Sequence, residues 1–281
     1  MWRLSREVLL GQSPGIVSVA FAGPIDAHGR VLAAPTIWGP SPGQPLNLIS
    51  RLAQFWPAAQ ILVMNDVAAA GYRYLRDPGE DFCMVTVSSG IGNKVFLRGS
   101  PMVGLGGRGG EIGHVQVDFS PDAPLCDCGA PGHLGAIASG RGTLSMARRF
   151  AQRCPEAFAH SMLGQRFGEH LDSLENLDIV EAFHAKDAWT LNLIQHVAHP
   201  LGQMLAAIHL GVGIERFVLI GGFALALGEP YRLEVARAAW SCAWDIGQDW
   251  QTMLELGAPD DYSGLIGAGR YAMEYCGRAS T

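Results

Sequence analysis

The stretch EIGHVQVDFSPDAPLCDCGAPGHLGAIASG, from Glu111 to Gly140, gathers two histidines, a Cys-x-Cys pair and a glutamate in a chain otherwise poor in charge. His114, Cys126, Cys128 and His133 offer two thiolates and two imidazoles, donors that close a tetrahedral shell around Zn²⁺. A disulfide across Cys-x-Cys would be strained, so a metal is favoured over a bridge. The remaining alternative is two incidental cysteines on a loop. With four protein ligands no coordination position is left for water, and the metal is expected to be structural. Its task would be to fold a loop with few apolar residues, holding His114 and Glu111 in place.

A second candidate is Asn65-Asp66, at the end of the apolar run AQILVMND and before VAAAGYRYL. Loops at strand C-termini in open α/β sheets converge on one crevice. Asp66 there could accept the proton of an attacking hydroxyl. Either residue could equally be an N-cap, satisfying free backbone N–H groups at a helix start. SSGIGNK, from Ser88 to Lys94, could turn backbone N–H groups toward a phosphate, and a tight hairpin is its plainer reading. LIGGFA, with Gly221 and Gly222, could let a nucleotide approach the backbone, or be a packing turn.

The elements that must carry these residues alternate between strand and helix. GIVSVAFAGPID reads as a strand followed by a hairpin, PLNLISRLAQFW as a helix, and AQILVMND as a buried strand. A helix follows Asp66, then two strands flank the glycine turn of DFCMVTVSSGIGNKVFLRG. Residues 191–211 form one long helix with Leu193, Val197, Leu201, Leu205 and Ile208 inward, leading to a buried strand and another helix at ERFVLIGGFALAL. YSGLIGAGRYAMEY is a closing helix, and the opening segment before GIVSVAF is helix-like. The pattern predicts an α/β protein with a break near residue 80 and two lobes.

At 281 residues, 48% hydrophobic and 16% charged, the chain is a folded globular protein. A net charge of −6 without a basic block argues against nucleic acid or an anionic membrane surface as partner. No apolar run is long enough to span a bilayer, and the first residues do not form a signal peptide, so a cytoplasmic protein is expected. Cys83, Cys154, Cys242 and Cys276 read as small buried hydrophobes.

Together these pieces resemble the ROK family (repressors, open reading frames, kinases) of the sugar kinase, Hsp70 and actin superfamily. AGPIDAHGRVLAAPT is similar to the family's Gly-Pro hairpin and substrate loop, ending at Thr36; VMND to its catalytic strand end; SSGIGNKV to its second phosphate loop. GEIGH…CDCGAPGHLG…SG resembles its zinc signature, LIGGFA its adenosine motif and DYSGLIGAG its closing helix. The resemblance implies two lobes of ribonuclease H-like (actin-like ATPase) fold. Residues 1–80 would form a small lobe to which 265–281 return, and 81–264 a large lobe carrying the zinc loop. It implies ATP-dependent phosphorylation of a hydroxymethyl group on a polyol, with ATP, Mg²⁺ and structural Zn²⁺ as cofactors and a homodimer as the assembly. Asp66 would be the general base, and Thr36, Asn65, Glu111 and His114 would bind the substrate. Ser88, Ser89 and Gly90 would face the phosphates, and Gly221 and Gly222 the rest of the nucleotide.

The sequence departs from the family in four places. His133 stands where the third zinc cysteine is usual, leaving the shell one negative charge poorer. Gly135 stands where a substrate-binding glutamate is usual, which removes a hydroxyl acceptor from a hexopyranose site. Ser88 and Asn93-Lys94 replace glycines, a combination resembling the C7-cyclitol 7-kinases of aminocyclitol antibiotic biosynthesis. Nothing before GIVSVAFAGPID matches the family's Asp-x-Gly-x-Thr phosphate loop, so the N-terminal lobe is expected to lack its first strands, unless the natural start lies upstream. This last departure motivates a non-catalytic polyol-binding protein as the alternative. A zinc hydrolase using Glu111 is a third reading, and it needs an open metal position.

Overall fold

The computed structural model describes residues 7, 9–38 and 44–279, with the side chains of Pro35, Thr36, Arg278 and Ala279 outside that description. Most of the helix-like opening segment therefore lies outside the described residues. The chain divides into two compact units. One takes the described residues up to Glu80, then Lys94–Gly110 and the chain from Asp260 onward; the other takes Asp81–Asn93 and Glu111–Pro259.

In the first unit, strand β1 (Ile16–Phe21) is followed by β2 (Arg30–Val31), the turn Pro35–Trp38, β3 (Leu46–Asn47), helix α1 (Leu48–Ala53) and strand β4 (Gln60–Asn65). Their apolar and β-branched residues suit a pleated surface buried by helices. β1 and β4 pair in parallel, with Phe21 opposite Asn65. The Gly-Pro hairpin after β1 is tied by Asp26, whose carboxylate accepts the backbone N–H groups of His28 and Arg30 and the Arg30 guanidinium. These bonds, the Arg30 N–H first, hold the Asp26 carboxyl below its ordinary value. The helix expected over PLNLISRLAQFW is only six residues long; Asn47 caps it, its side chain accepting the Ser50 N–H.

Helix α2 (Asp66–Tyr74) packs against the closing helix, Ser263–Ala279. The approach is close: a Cβ on Gly267 would sit 1.7 Å from the Ala69 carbonyl oxygen. On the same helix a Cβ at Gly71 would sit 2.1 Å from the Phe96 ring, which meets Tyr72 edge-on at 5.4 Å. Phe96 thus fills the space that glycine leaves. Lys94–Gly110, which carries Phe96, groups with the first compact unit.

Where the chain re-enters this unit, Arg73 of α2 binds Asp260 through two hydrogen bonds of 2.5 and 2.8 Å and also reaches Ser263. The Arg73 guanidinium, then the Tyr262 N–H, hold the Asp260 carboxyl at about 2, below its ordinary 3.8. A depressed carboxylate contributes stability above its unfolded-state pKa and loses it as pH falls toward the folded one. Between about pH 4 and about pH 2 the parent's thermal midpoint should therefore fall more steeply than that of Asp260→Asn. Parallel curves would mean that the pair contributes nothing.

The second unit holds β5 (Phe82–Val87), the first residues of β6 (Ile91–Leu97), helices α3 (Leu134–Ala138), α4 (Gly140–Arg153), α5 (Asn176–His184) and α6 (Ala188–Val212), strand β8 (Phe217–Ile220), helix α7 (Gly222–Cys242) and strand β9 (Leu254–Leu256). β6 continues into the first unit, where its end pairs antiparallel with β7 (Ser100–Pro101). β5, β8 and β9 are parallel neighbours, and all four residues of β8 are buried. Leu193, Val197, Leu201 and Leu205 of α6 are fully buried, as the helical spacing predicts, while Ile208 is half-buried. α6 crosses α7 where a Cβ on Gly202 would lie 2.5 Å from the Ala238 methyl. α7 is broken at Gly228, whose φ of +68° starts a new helical run through Pro230. No helix among the described residues is long and apolar enough to cross a membrane.

Candidate functional site

Asn65 closes β4 and caps α2. Its side-chain oxygen accepts the N–H groups of Val67 (3.0 Å) and Ala68 (3.1 Å), and its amide nitrogen donates to the Gly23 carbonyl (3.0 Å) and to Asp66 Oδ1 (3.0 Å). An asparagine amide has two N–H donors and two acceptor lone pairs, so all four positions are engaged. Asn65 therefore caps the helix and holds Asp66. Because Asn65 does the capping, Asp66 remains an exposed carboxylate at the first helical position, steadied through Oδ1 by Asn65 and by the Val67 N–H at 2.9 Å. The Thr36 side chain lies outside the described residues.

Ser88, Ser89 and Gly90 form the turn between β5 and β6, with the Ser88 N–H bonded to the Gly90 carbonyl at 2.9 Å. Helix α4 grips this turn from behind. Its first N–H, from Gly140, donates to the Ser88 carbonyl at 2.7 Å, and Arg141 Nε donates to the Ser89 carbonyl at 2.8 Å. With those carbonyls turned to α4, and open space where a Gly90 side chain would be, backbone can approach a phosphate closely. Gly221 precedes α7 with φ +102°, and a Cβ there would lie 2.5 Å from the Val87 carbonyl. The turn therefore packs closely on the end of β5. Gly222, the first residue of α7, faces open space.

Glu111 precedes a single 3-10 turn, Ile112–His114, and His133 precedes α3. Between them the loop is pinned by bonds from Val117 and Asp118 N–H to the Gly132 carbonyl and from Cys126 N–H to the Ala130 carbonyl. Its larger apolar residues do little to fold it: Phe119 is 78% and Leu125 74% exposed. What converges instead are four donors. One donor atom each from His114, Cys126, Cys128 and His133 lies within 4.8 Å of the others, with His114 Nδ1 3.7 Å from Cys126 Sγ and His133 Nδ1 3.2 Å from Cys128 Sγ. Tetrahedral zinc at about 2.0–2.3 Å from each ligand needs donor separations of about 3.4–3.8 Å, so a small contraction would close the shell. Burial pushes the Cys126 thiol up, and burial followed by the His114 charge holds His133 below its ordinary value. Asp127, between the two cysteines, pairs with Arg141, so the residue that holds the Ser88–Gly90 turn also holds this loop. Sequence reasoning missed Arg141; the available signal was Ser-Gly-Arg-Gly at a helix start, where Ser139 caps α4 through the Gly142 N–H.

A family model described as "ROK family" matches residues 9–272. The chain belongs to the ROK family. This ROK chain is 40% identical over 97% of its length, and 79% of the relative's, to a C(7)-cyclitol 7-kinase of Streptomyces hygroscopicus subsp. limoneus. It is 31% identical to a 2-epi-5-epi-valiolone 7-kinase of an Actinoplanes species, over 96% of this chain and 79% of the relative. In fold it matches a ROK family glucokinase of Streptomyces griseus, solved with glucose and AMPPNP, at TM-score 0.72 and 24% identity, covering 95% of this chain and 85% of that one. The ROK chain therefore has the actin-like ATPase fold expected from its motifs.

Of the residues singled out by sequence, the structure brings together Asn65 with Asp66, the four cysteine and histidine donors with one another, and Ser88–Gly90 with the start of α4. Asp66 lies in the first unit; Glu111, His114, Ser88–Gly90 and Gly221-Gly222 lie in the second.

Proposed function

We propose that this ROK chain is an ATP-dependent kinase acting on the exocyclic primary hydroxyl of a sugar or C7-cyclitol, with Asp66 as general base. The observation that carries the reading is the strand-end turn, where Asn65 takes over the helix cap and leaves Asp66 exposed and oriented. The kinase relatives support the reaction class, and the 40% identity to a C(7)-cyclitol 7-kinase supports the cyclitol. Gly135 supports it too, since no carboxylate stands there to accept a hydroxyl proton from a hexopyranose.

In this reaction an Asp66 oxygen takes the proton of the primary alcohol as that oxygen attacks the γ-phosphorus in line. The new P–O bond forms, the bond to the β,γ-bridging oxygen breaks, and ADP leaves. Ser88, Ser89 and Gly90 face the phosphates, Ser88 through its hydroxyl because its N–H is bonded to the Gly90 carbonyl, and Gly221 and Gly222 face the rest of the nucleotide. Mg²⁺, arriving with the nucleotide, neutralises the β- and γ-phosphate charge. Glu111 and His114 hold ring hydroxyls. His114 can do so while ligating Zn²⁺, because Nδ1 faces Cys126 and a ligating imidazole keeps its other N–H for a hydrogen bond. His114, Cys126, Cys128 and His133 would hold a structural Zn²⁺, and four donors around one point leave a hydrolytic water no place. The homodimer implied by the resemblance and the cytoplasmic location expected from the sequence belong to the same proposal.

The test is coupled ADP release over hexoses, hexosamines and C7-cyclitols. Release with at least one C7-cyclitol or hexose is expected. Polyol binding by calorimetry without any ADP release would instead favour the non-catalytic binder.

A further inference from the structure

Two polar side chains in the middle of β6 are almost wholly buried, Asn93 and Lys94, each 2% exposed. Burying an amide and an ammonium is costly unless both are hydrogen-bonded, so their partners indicate what they do. Both spend bonds on the same short stretch of main chain. Lys94 Nζ donates to the carbonyl oxygens of Gly109 at 2.7 Å and Gly110 at 3.0 Å. Asn93 Oδ1 accepts the N–H of Ile112 at 3.1 Å, while its amide nitrogen lies 3.9 Å from Cys83 Sγ. The residue between those anchored peptides is Glu111.

Glu111 needs such anchoring. It follows the glycine-rich run GLGGRGG, in which Gly104, Gly107 and Gly110 all have positive φ, so the chain approaching it has little intrinsic preference for one path. Gly113, just beyond, lies so close to β6 that a Cβ would be 2.2 Å from the Ile91 carbonyl oxygen. A lysine reaching the carbonyls of Gly109 and Gly110 and an asparagine reaching the Ile112 N–H fix the peptide planes on both sides of the glutamate. The Cα–Cβ direction of Glu111, from which its carboxylate departs, is thereby fixed by the backbone.

We propose that Asn93 and Lys94 are positioning residues that clamp the main chain on either side of Glu111 and so set the affinity for the polyol acceptor. This rests on the assignment of Glu111 as a ring-hydroxyl acceptor in the kinase reading. Lys94→Met keeps the aliphatic stem and removes the ammonium; Asn93→Leu removes the acceptor. Each should raise KM for the acceptor about tenfold or more while KM for MgATP stays unchanged. Because the clamp acts through Glu111, the double variant Lys94→Met/Glu111→Gln should be no worse than Glu111→Gln alone. Penalties that multiply, or KM values that rise together for both substrates, would overturn the clamp. Should either variant fail to fold, hydrogen exchange on the parent decides: the Ile112 amide must be protected, and free exchange there refutes the clamp. The same measurement separates the two claims. A parent chain that releases no ADP with D-glucose or a C7-cyclitol defeats the kinase reading, whereas the Ile112 amide still reports on the clamp.

Discussion

Asp66→Asn is expected to lower kcat by about 10²–10⁴-fold, the range that a positioned general base contributes, while calorimetric polyol affinity stays close to the parent's. The substitution is a clean one here. The asparagine oxygen can still accept the Asn65 amide and the Val67 N–H that now bind Oδ1, so the start of α2 should remain intact. The capacity to take a proton disappears, together with the negative charge and one acceptor oxygen. Equal losses in binding and turnover would show that Asp66 serves the structure of the turn rather than the reaction.

Removing the metal should have the next largest effect. The purified chain should carry one zinc per molecule by elemental analysis, and Cys128→Ala should carry none. Structural zinc in small peptides supplies about 10–16 kcal/mol of apparent binding free energy; in a loop attached to a folded unit only part of that would appear as stability. The segment between Glu111 and His133 has little apolar burial to replace it. Cys128→Ala should therefore lower the thermal midpoint and raise KM for the acceptor, since His114 and the turn after Glu111 lose their tether. The Asp127–Arg141 pair extends the effect to the phosphate turn, so KM for MgATP should also rise, though less. A zinc-free parent with full activity would remove the metal from the account.

These expectations came from the sequence unevenly, and the reasons are physical. The strand–helix junction at Asn65-Asp66 was legible because a buried apolar run followed by a polar pair and a small-residue helix has few other solutions. Which residue capped the helix was not legible, since asparagine and aspartate cap equally well; only the Gly23 carbonyl, far away in sequence, completes the Asn65 amide. The cysteine and histidine donors could be read because metal geometry constrains residue type and spacing together. The approach of Phe96 to Gly71 could not be read at all, because a contact between distant segments carries no local pattern. Asn93 and Lys94 stood out only as non-glycines, and their burial and partners gave them meaning.

The central claim is that this chain moves a phosphoryl group onto an exocyclic primary alcohol. Proton-coupled ³¹P NMR of the product formed from MgATP with D-glucose or a C7-cyclitol addresses it directly. The account predicts a phosphate ester whose phosphorus couples to the two protons of a CH₂ group, formed in step with ADP. A phosphorus coupled to a single ring CH proton, or ATP left unconsumed with every acceptor, would contradict it.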